Sequence, residues 1–250
     1  MNKRIVFTIA DPNNAKYAKK MIKSLRKFHT EEELPVVVIE GDKLKELVQK
    51  DPMFYYRATP VIANELWKQG FREIIKIDAD SVITGDISHL WKSNDNYDIG
   101  VVNNSNPREL KKYPISVWNI HPLSYVNAGF VIMKDERFIK HWLDLCNSIH
   151  FEAYQFKEQD LLNIMIFYMD FRVRFLDAGT KWHGLISKGY WPQVEVKEGK
   201  LILPKNDEWP AQEDKEISVI HFAGGNVPDK MNFNISFKED VAKHLEKLTQ

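Results

Sequence analysis

Two aspartates one residue apart, Asp78 and Asp80, close an apolar run that begins at Glu73 (EIIKIDADSVITGD). Residues two apart in an extended chain point to the same side, so both carboxylates can converge on one cation. Carboxylates at the end of a buried strand are costly unless something positive meets them. A second apolar pair, Val82-Ile83, follows and stops at Gly85. Taken alone, the pattern also fits a turn acid and a loop cap. Its weight depends on what else the chain can bring to it.

Four other groups of residues could serve chemistry. His221 ends an apolar strand, Ile217–Phe222, just before Gly224-Gly225, and of the eight histidines it is the best placed to add a nitrogen ligand. Paired glycines also let backbone N–H groups approach a phosphate, although they serve ordinary tight turns too. Arg57, in FYYRAT, can pair with a phosphate, with an aspartate of the DxD, or with a surface acid. Glu158-Gln159-Asp160 opens a helix whose next residues, Leu161-Leu162, are core-like. The helix dipole accounts for acids in a first turn but not for Gln159. Asn127-Ala128-Gly129 interrupts the strand pattern Ser124–Met133, and a glycine in a strand marks a bulge or a close approach to the backbone.

The elements that must carry these residues alternate in type. Arg4–Ala10 reads as a buried strand ended by the turn cluster Asp11-Pro12-Asn13-Asn14. Tyr17, Met21, Ile22, Leu25 and Phe28 then recur at helical spacing. Pro35–Glu40 is a second strand, closed by Gly41. A helix from about Tyr55 to Lys68, stopped at Gly70, leads to the Ile74–Ile77 strand. Such alternation predicts βαβ units and a mostly parallel sheet flanked by helices. Ligands of such sheets sit at the carboxyl ends of the strands, where Thr8–Asp11 and Asp78–Asp80 both fall.

The second half is less regular. Asp98–Val102 and Phe171–Leu176 read as strands, Asn103–Trp118 as a surface excursion, and Phe138–Ile149 and Glu158–Met169 as amphipathic helices. Trp182–Pro210 looks irregular, with a hairpin around Glu198-Gly199. Ser236 with Glu239 forms a capping box for a closing helix carrying Val241, Leu245 and Leu248. One domain spans 1–250, with a regular half over about 1–102 and a less regular half over about 103–250.

Composition narrows the classes. The 250 residues are enough for a sizeable core, and 44% apolar with 28% charged residues suits a soluble globular chain. Lys+Arg and Asp+Glu are both 35, which gives no electrostatic argument for nucleic acid or an anionic membrane. The single cysteine, Cys146, excludes an internal disulfide and reads as a buried small hydrophobe. The N-terminus runs straight into a strand, and no stretch of about 18 apolar residues exists to span a membrane. A cytoplasmic protein without a membrane span is the expectation.

In chain order stand a strand ending at Thr8 and Asp11, Arg57, DADSVITGDISHLW, YVNAGFVIM, EQDLLN and VIHFAGG. This ordered set resembles glycosyltransferase family 8, the glycogenin and lipopolysaccharide galactosyltransferase group, over roughly Ile5–Gly225. The resemblance implies a GT-A fold and transfer of a hexose, with retention, from a nucleotide-diphosphate sugar to a glycan or other hydroxyl acceptor. UDP-glucose or UDP-galactose is the implied donor. Asp78 and Asp80 would hold Mn²⁺ or Mg²⁺ with His221 as third protein ligand, the donor's diphosphate filling the remaining positions. Thr8, Ile9, Ala10 and Tyr17 would line base and ribose, and Arg57 would reach the phosphate or sugar. Ala79, Asn127, Ala128, Gly129 and Gly224 complete the implied donor site, while Gln159, with Glu158 beside it, would lie under the anomeric carbon.

Two positions differ from the family pattern. The family continues HxxGxxKPW, where this chain has Val227 at the lysine position and Asp229 at the tryptophan, with Lys230 the nearest replacement. The family's aspartate before the glutamine is Glu158 here.

Other readings compete. A haloacid-dehalogenase-like phosphohydrolase would use Asp78 as nucleophile and Asp80 as general acid, with Thr84 completing DxDxxxT. That motif normally ends a first strand, whereas here two strand–helix units precede it. A non-catalytic nucleotide-sugar-binding member of the fold is a further alternative. A nucleotidylyltransferase needs a glycine-rich loop after the first strand, and Thr8–Asn14 contains no glycine.

Overall fold

The structure, a computed structural model, describes residues 3–92, 96–103, 120, 124–148, 154, 156–177, 182–183, 193–205, 213–222, 231–233 and 237–250. Its first part contains β1 (Arg4–Ala10), α1 (Ala15–Leu25), β2 (Val36–Glu40), α2 (Gly41–Lys50), α3 (Phe54–Lys68), β3 (Glu73–Ile77), β4 (Ser81–Ile83) and the short α4 (His89–Lys92). There follow β5 (Ile99–Asn103), β6 (Val126–Met133), α5 (Glu136–Cys146), α6 (Glu158–Tyr168), β7 (Val173–Phe175) and β8 (Trp182–His183). The last elements are β9 (Glu195–Lys197), β10 (Lys200–Leu203), β11 (Lys215–Glu216), β12 (Val219–His221) and α7 (Glu239–Thr249).

A six-stranded sheet of order β2-β1-β3-β6-β5-β7 forms the centre. Every neighbouring pair is parallel except the two that involve β6, which runs against both β3 and β5. Period-2 alternation sends successive side chains to opposite faces. Ile5, Phe7 and Ile74 pack under α3, α5 and α6 with Phe138, Trp142 and Leu162, while Val6, Ile75 and Ile77 meet Met21 and Leu25 of α1. Fully burying each such large side chain contributes roughly 2 kcal/mol. Even the acid that starts β3 is paired: Glu73 accepts from Arg4 Nε at 2.9 Å and lies 3.3 Å from Lys134 Nζ.

Two small sheets, β4-β12-β8 and β11-β10-β9, adjoin this core. A third apolar cluster, with Val82, Ile220, Phe222, Phe233, Val241 and Leu245, ties them to α7. The expected hairpin is present: Lys197 pairs with Lys200, and Glu198 and Gly199 turn with φ of 51° and 77°. Positive φ at both positions is the two-residue turn that matches strand twist. No helix among the described residues is long and apolar enough to cross a membrane.

Several expectations need correction. Gly41 does not merely end β2: with φ 61° it opens α2, whose apolar stripe (buried Leu44, with Leu47 and Val48 packing on the core) is too narrow to stand out in a charged stretch. The strand through Asn127-Ala128-Gly129 is not broken, but its pairing with β5 jumps from Val101–Val131 to Asn103–Val126, so the extra residues lie in β6 across that stretch, where the glycine marked an irregularity. α6 is not amphipathic in the ordinary sense, since Leu161 through Ile166 are all buried. Lys238, rather than Ser236, holds the N-cap position of α7, and without a side-chain bond. Ser236 and the 104–118 part of the Asn103–Trp118 excursion lie outside the described residues.

Candidate active site and metal centre

Topology brings the separated residues together at the carboxyl end of β3. The Asp78 N–H donates to the Gly129 carbonyl at 2.9 Å, which extends the β3–β6 pairing into the DxD. β4 leaves immediately after Asp80 and pairs antiparallel with β12, setting His221 opposite Ser81. The Phe222 N–H donates to the Asp80 carbonyl at 2.9 Å. His221 Nε2 consequently lies 3.2 Å from Asp78 Oδ2 and 3.3 Å from Asp80 Oδ1. One ligand atom from each residue falls within 4.8 Å of the other two.

Two carboxylate oxygens and an imidazole nitrogen suit a divalent cation such as Mn²⁺ or Mg²⁺. The backbone is shaped for the cluster as well. A Cβ at position 129 would lie 2.6 Å from both Asn127 Oδ1 and Asp78 Oδ2 and would overlap His221 Cε1. Only a glycine there lets all three side chains occupy their places.

Lys76 is a site residue that sequence reasoning passes over. Only 5% exposed, it donates to Asp78 Oδ1 and, at 2.7 Å, to the Ala128 carbonyl. The signal for it is a lysine lodged among Ile74, Ile75 and Ile77 in a strand buried throughout. Burial opposes ionisation of Asp78, but Lys76 and His221 outweigh it and hold the carboxyl well below the usual range.

Ala128 carries the link onward to α6. Its N–H donates to Gln159 Oε1 at 3.0 Å, and Gln159 Nε2 donates to Tyr125 Oη at 3.2 Å. Tyr125 donates to Asp160 Oδ1 at 2.7 Å, and the Phe156 N–H binds the other oxygen at 2.8 Å. Buried Asn163 ties α6 to β6, donating to the Val126 carbonyl at 2.9 Å and accepting its N–H at 2.7 Å. Glu158 is half-buried nearby; burial pushes its carboxyl up to about 8, Asp78 and Asp160 add to this, and Lys76 opposes it. Lys157, just before α6, has φ 50°, a strained conformation of the kind that clusters at functional sites.

The remaining expected donor residues are placed unevenly. Thr8 and Ala10 are fully buried and Tyr17 is 4% exposed, while Ile9 is half-buried. Thr8 Oγ1 has no hydrogen-bond partner among the described residues. Ala79 packs with Ala10 and Ala18, and these small side chains let α1 approach the strand ends closely. Arg57 is engaged by Asp51, with Nε at 2.8 Å, and by Asn147 Oδ1 at 3.3 Å from Nη1. Gly224, Val227, Asp229 and Lys230 lie outside the described residues. Tyr55, not singled out from the sequence, is exposed at the start of α3, and its hydroxyl donates to Asp11 Oδ2 at 3.4 Å. Partial burial, followed by the carboxylates of Asp11, Asp78 and Asp80, raises the pKa of that hydroxyl.

No curated protein matches the sequence significantly. Solved structures do resemble the fold. The galactosyltransferase LgtC, determined with donor and acceptor sugar analogs, aligns with TM-score 0.61 and 17% identity over 98% of this chain and 94% of its own. A glycosyltransferase that acts in glycosylation of the major capsid of PBCV-1 aligns with TM-score 0.58 and 12% identity over 98% of each chain. GlyE of Streptococcus pneumoniae TIGR4 aligns with TM-score 0.57 and 12% identity over 100% of this chain and 60% of its own. At these identities the likeness establishes the GT-A architecture alone. The sequence profile of Glycosyl transferase family 8 matches residues 2–228, and the chain belongs to that family of glycosyltransferases.

Proposed function

We propose that the chain moves a hexose from a nucleotide-diphosphate sugar, UDP-glucose or UDP-galactose, to a hydroxyl of a glycan or similar acceptor, with retention of configuration and with Mn²⁺ or Mg²⁺. The carrying observation is the convergence of Asp78, Asp80 and His221 at one end of β3, linked through Lys76 and Ala128 to Gln159. Family membership supports the transferase chemistry and sets aside the phosphohydrolase alternative. The whole of 1–250 is read as a single domain, with the nucleotide on the β1–β3 side. The lone cysteine, free and buried, fits a cytoplasmic location.

Asp78, Asp80 and His221 would hold the cation, which neutralises charge growing on the leaving diphosphate. Asn127, Ala128 and Gly129 form one wall beside it, just past the last β3–β6 pair (Ile77–Phe130), with the Asp78 N–H on the Gly129 carbonyl and Lys76 Nζ on the Ala128 carbonyl. Gln159 is fixed by Ala128 and Tyr125, so its amide presents a preset dipole to the sugar rather than a mobile side chain. Below about pH 8 the Glu158 carboxyl keeps its proton and offers an O–H donor to a sugar hydroxyl. Such groups would steady positive charge at the anomeric carbon by position and polarity.

The test is UDP release from UDP-glucose and UDP-galactose with Mn²⁺, in the presence of sugar acceptors. Turnover abolished by Asp80→Ala supports the reading. Nucleotide binding without turnover across a panel of donors would favour the non-catalytic alternative, for which Val227 at the family's lysine position speaks.

A further inference from the structure

Lys76 has no task in the transfer scheme above, yet it is buried within the site. Its ammonium is buried beneath the DxD between Asp78 Oδ1 and the Ala128 carbonyl. An apolar side chain would fill this place in a fully buried strand without desolvation cost. What the lysine adds is a fixed positive charge in contact with a metal-site carboxylate. The two oxygens of Asp78 are thereby divided: Oδ1 faces Lys76, and Oδ2 faces His221 Nε2 at 3.2 Å.

We propose that Lys76 is a built-in counter-cation of the metal centre, which caps Asp78 Oδ1 and lowers the affinity of the site for a divalent ion. The inference rests on the reading of Asp78, Asp80 and His221 as the cation site. Two negative carboxylates and one ammonium leave a formal charge of −1 on the cluster where the DxD alone would carry −2. Like charges held close in a partly dry site repel strongly, so an incoming cation meets opposition from Lys76. The single oxygen left on Asp78 also rules out bidentate ligation by that carboxylate. A site tuned in this way holds its ion firmly only when further negative charge arrives, as a donor diphosphate would supply. Lys76 is a positioning residue in this scheme: it acts through Asp78 and touches no substrate.

The experiment is calorimetric titration of the full chain with Mn²⁺ alone, using wild type, Lys76→Met, Lys76→Gln and Asp80→Asn. Glutamine keeps a donor for the Ala128 carbonyl and safeguards the test should the methionine variant fold poorly. Both Lys76 variants should bind Mn²⁺ at least about tenfold more tightly than wild type. Their metal-free melting temperatures should fall, because Asp78 loses its partner, and should rise more on Mn²⁺ addition than that of wild type. Equal or weaker affinity in both variants, with wild-type binding abolished by Asp80→Asn, overturns the role of Lys76 and leaves the metal site standing. Mn²⁺ binding that Asp80→Asn does not weaken overturns the site itself, and this proposal with it.

Discussion

The Ala128 N–H donates to Gln159 Oε1 at 3.0 Å, while the Ala128 carbonyl accepts from Lys76 at 2.7 Å. Both main-chain polar groups of one residue are therefore taken by side chains, one from α6 and one from β3. Gln159→Ala should leave the Ala128 N–H without its partner and cost about 1–3 kcal/mol of stability. Transfer should fall more than donor affinity does, since the preset amide is lost and the cation ligands are not. Thermal melts beside steady-state kinetics measure the two effects separately.

Asp80→Asn keeps the shape of the side chain and removes half of the carboxylate charge at the DxD. Donor binding should come to depend no longer on Mn²⁺ and should weaken sharply, with transfer down at least about hundredfold. Calorimetry with UDP, with and without Mn²⁺, checks this. Metal-independent binding of undiminished strength in wild type would sink the assignment.

Gly129→Ala is the smallest change that should disable the site. The added methyl group meets Asn127 Oδ1, Asp78 Oδ2 and His221 Cε1; His221 is held by its pairing with β4, Asp78 by its N–H on the Gly129 carbonyl, and Asn127 by the Gly129 N–H on its Oδ1. Overpacking of this kind costs about 1–3 kcal/mol, and the ligand atoms must separate to relieve it. Loss of Mn²⁺ binding in a chain that still melts cooperatively is the expected result.

Glu158 sets a pH dependence. Its folded carboxyl titrates near 8 against 4.5 for an ordinary glutamate, so the folded state holds a proton that the unfolded chain has released. Its contribution to stability is complete below about 4.5 and is lost as pH rises through about 8. Melting temperatures of wild type should fall across this window relative to those of Glu158→Gln, in metal-free buffer. Parallel curves for the two proteins would rule out the raised value.

Cys146→Ser should leave transfer intact. The thiol is wholly buried in the core beneath α5, and burial raises its pKa, so it is no nucleophile. A buried hydroxyl without a sure partner should cost about 1–3 kcal/mol in a chemical melt. Strong inactivation without loss of fold would overturn this.

The sequence carried the candidate cation cluster openly because Asp78, Asp80 and His221 are chemically distinctive residues at strand ends, where α/β sheets bind ligands. The order of blocks from Thr8 to HFAGG carried the fold for the same reason. Lys76 stayed hidden because one polar residue in an apolar strand carries no sign of its partner until β6 is known to lie beside β3. That pairing is not legible from order along the chain, since β6 enters the sheet between two strands that precede it. The role of Gly129 was half visible: a close approach could be read, but the approaching groups are the protein's own side chains rather than a ligand. α2 was missed for want of apolar residues, and the capping box failed because α7 begins later than the Ser236–Glu239 pattern requires.

The late entry of β6 also orders events during synthesis. β1, β2 and β3 emerge first, and one long edge of β3 then presents unpaired N–H and C=O groups flanked by isoleucines. Until Val126–Met133 has left the ribosome, that edge can recruit a strand from a neighbouring nascent chain. The strand that joins β3 to β5 is therefore also the one that seals the growing sheet against aggregation. Chains truncated before it should accumulate in the insoluble fraction, while those reaching past β12 should not.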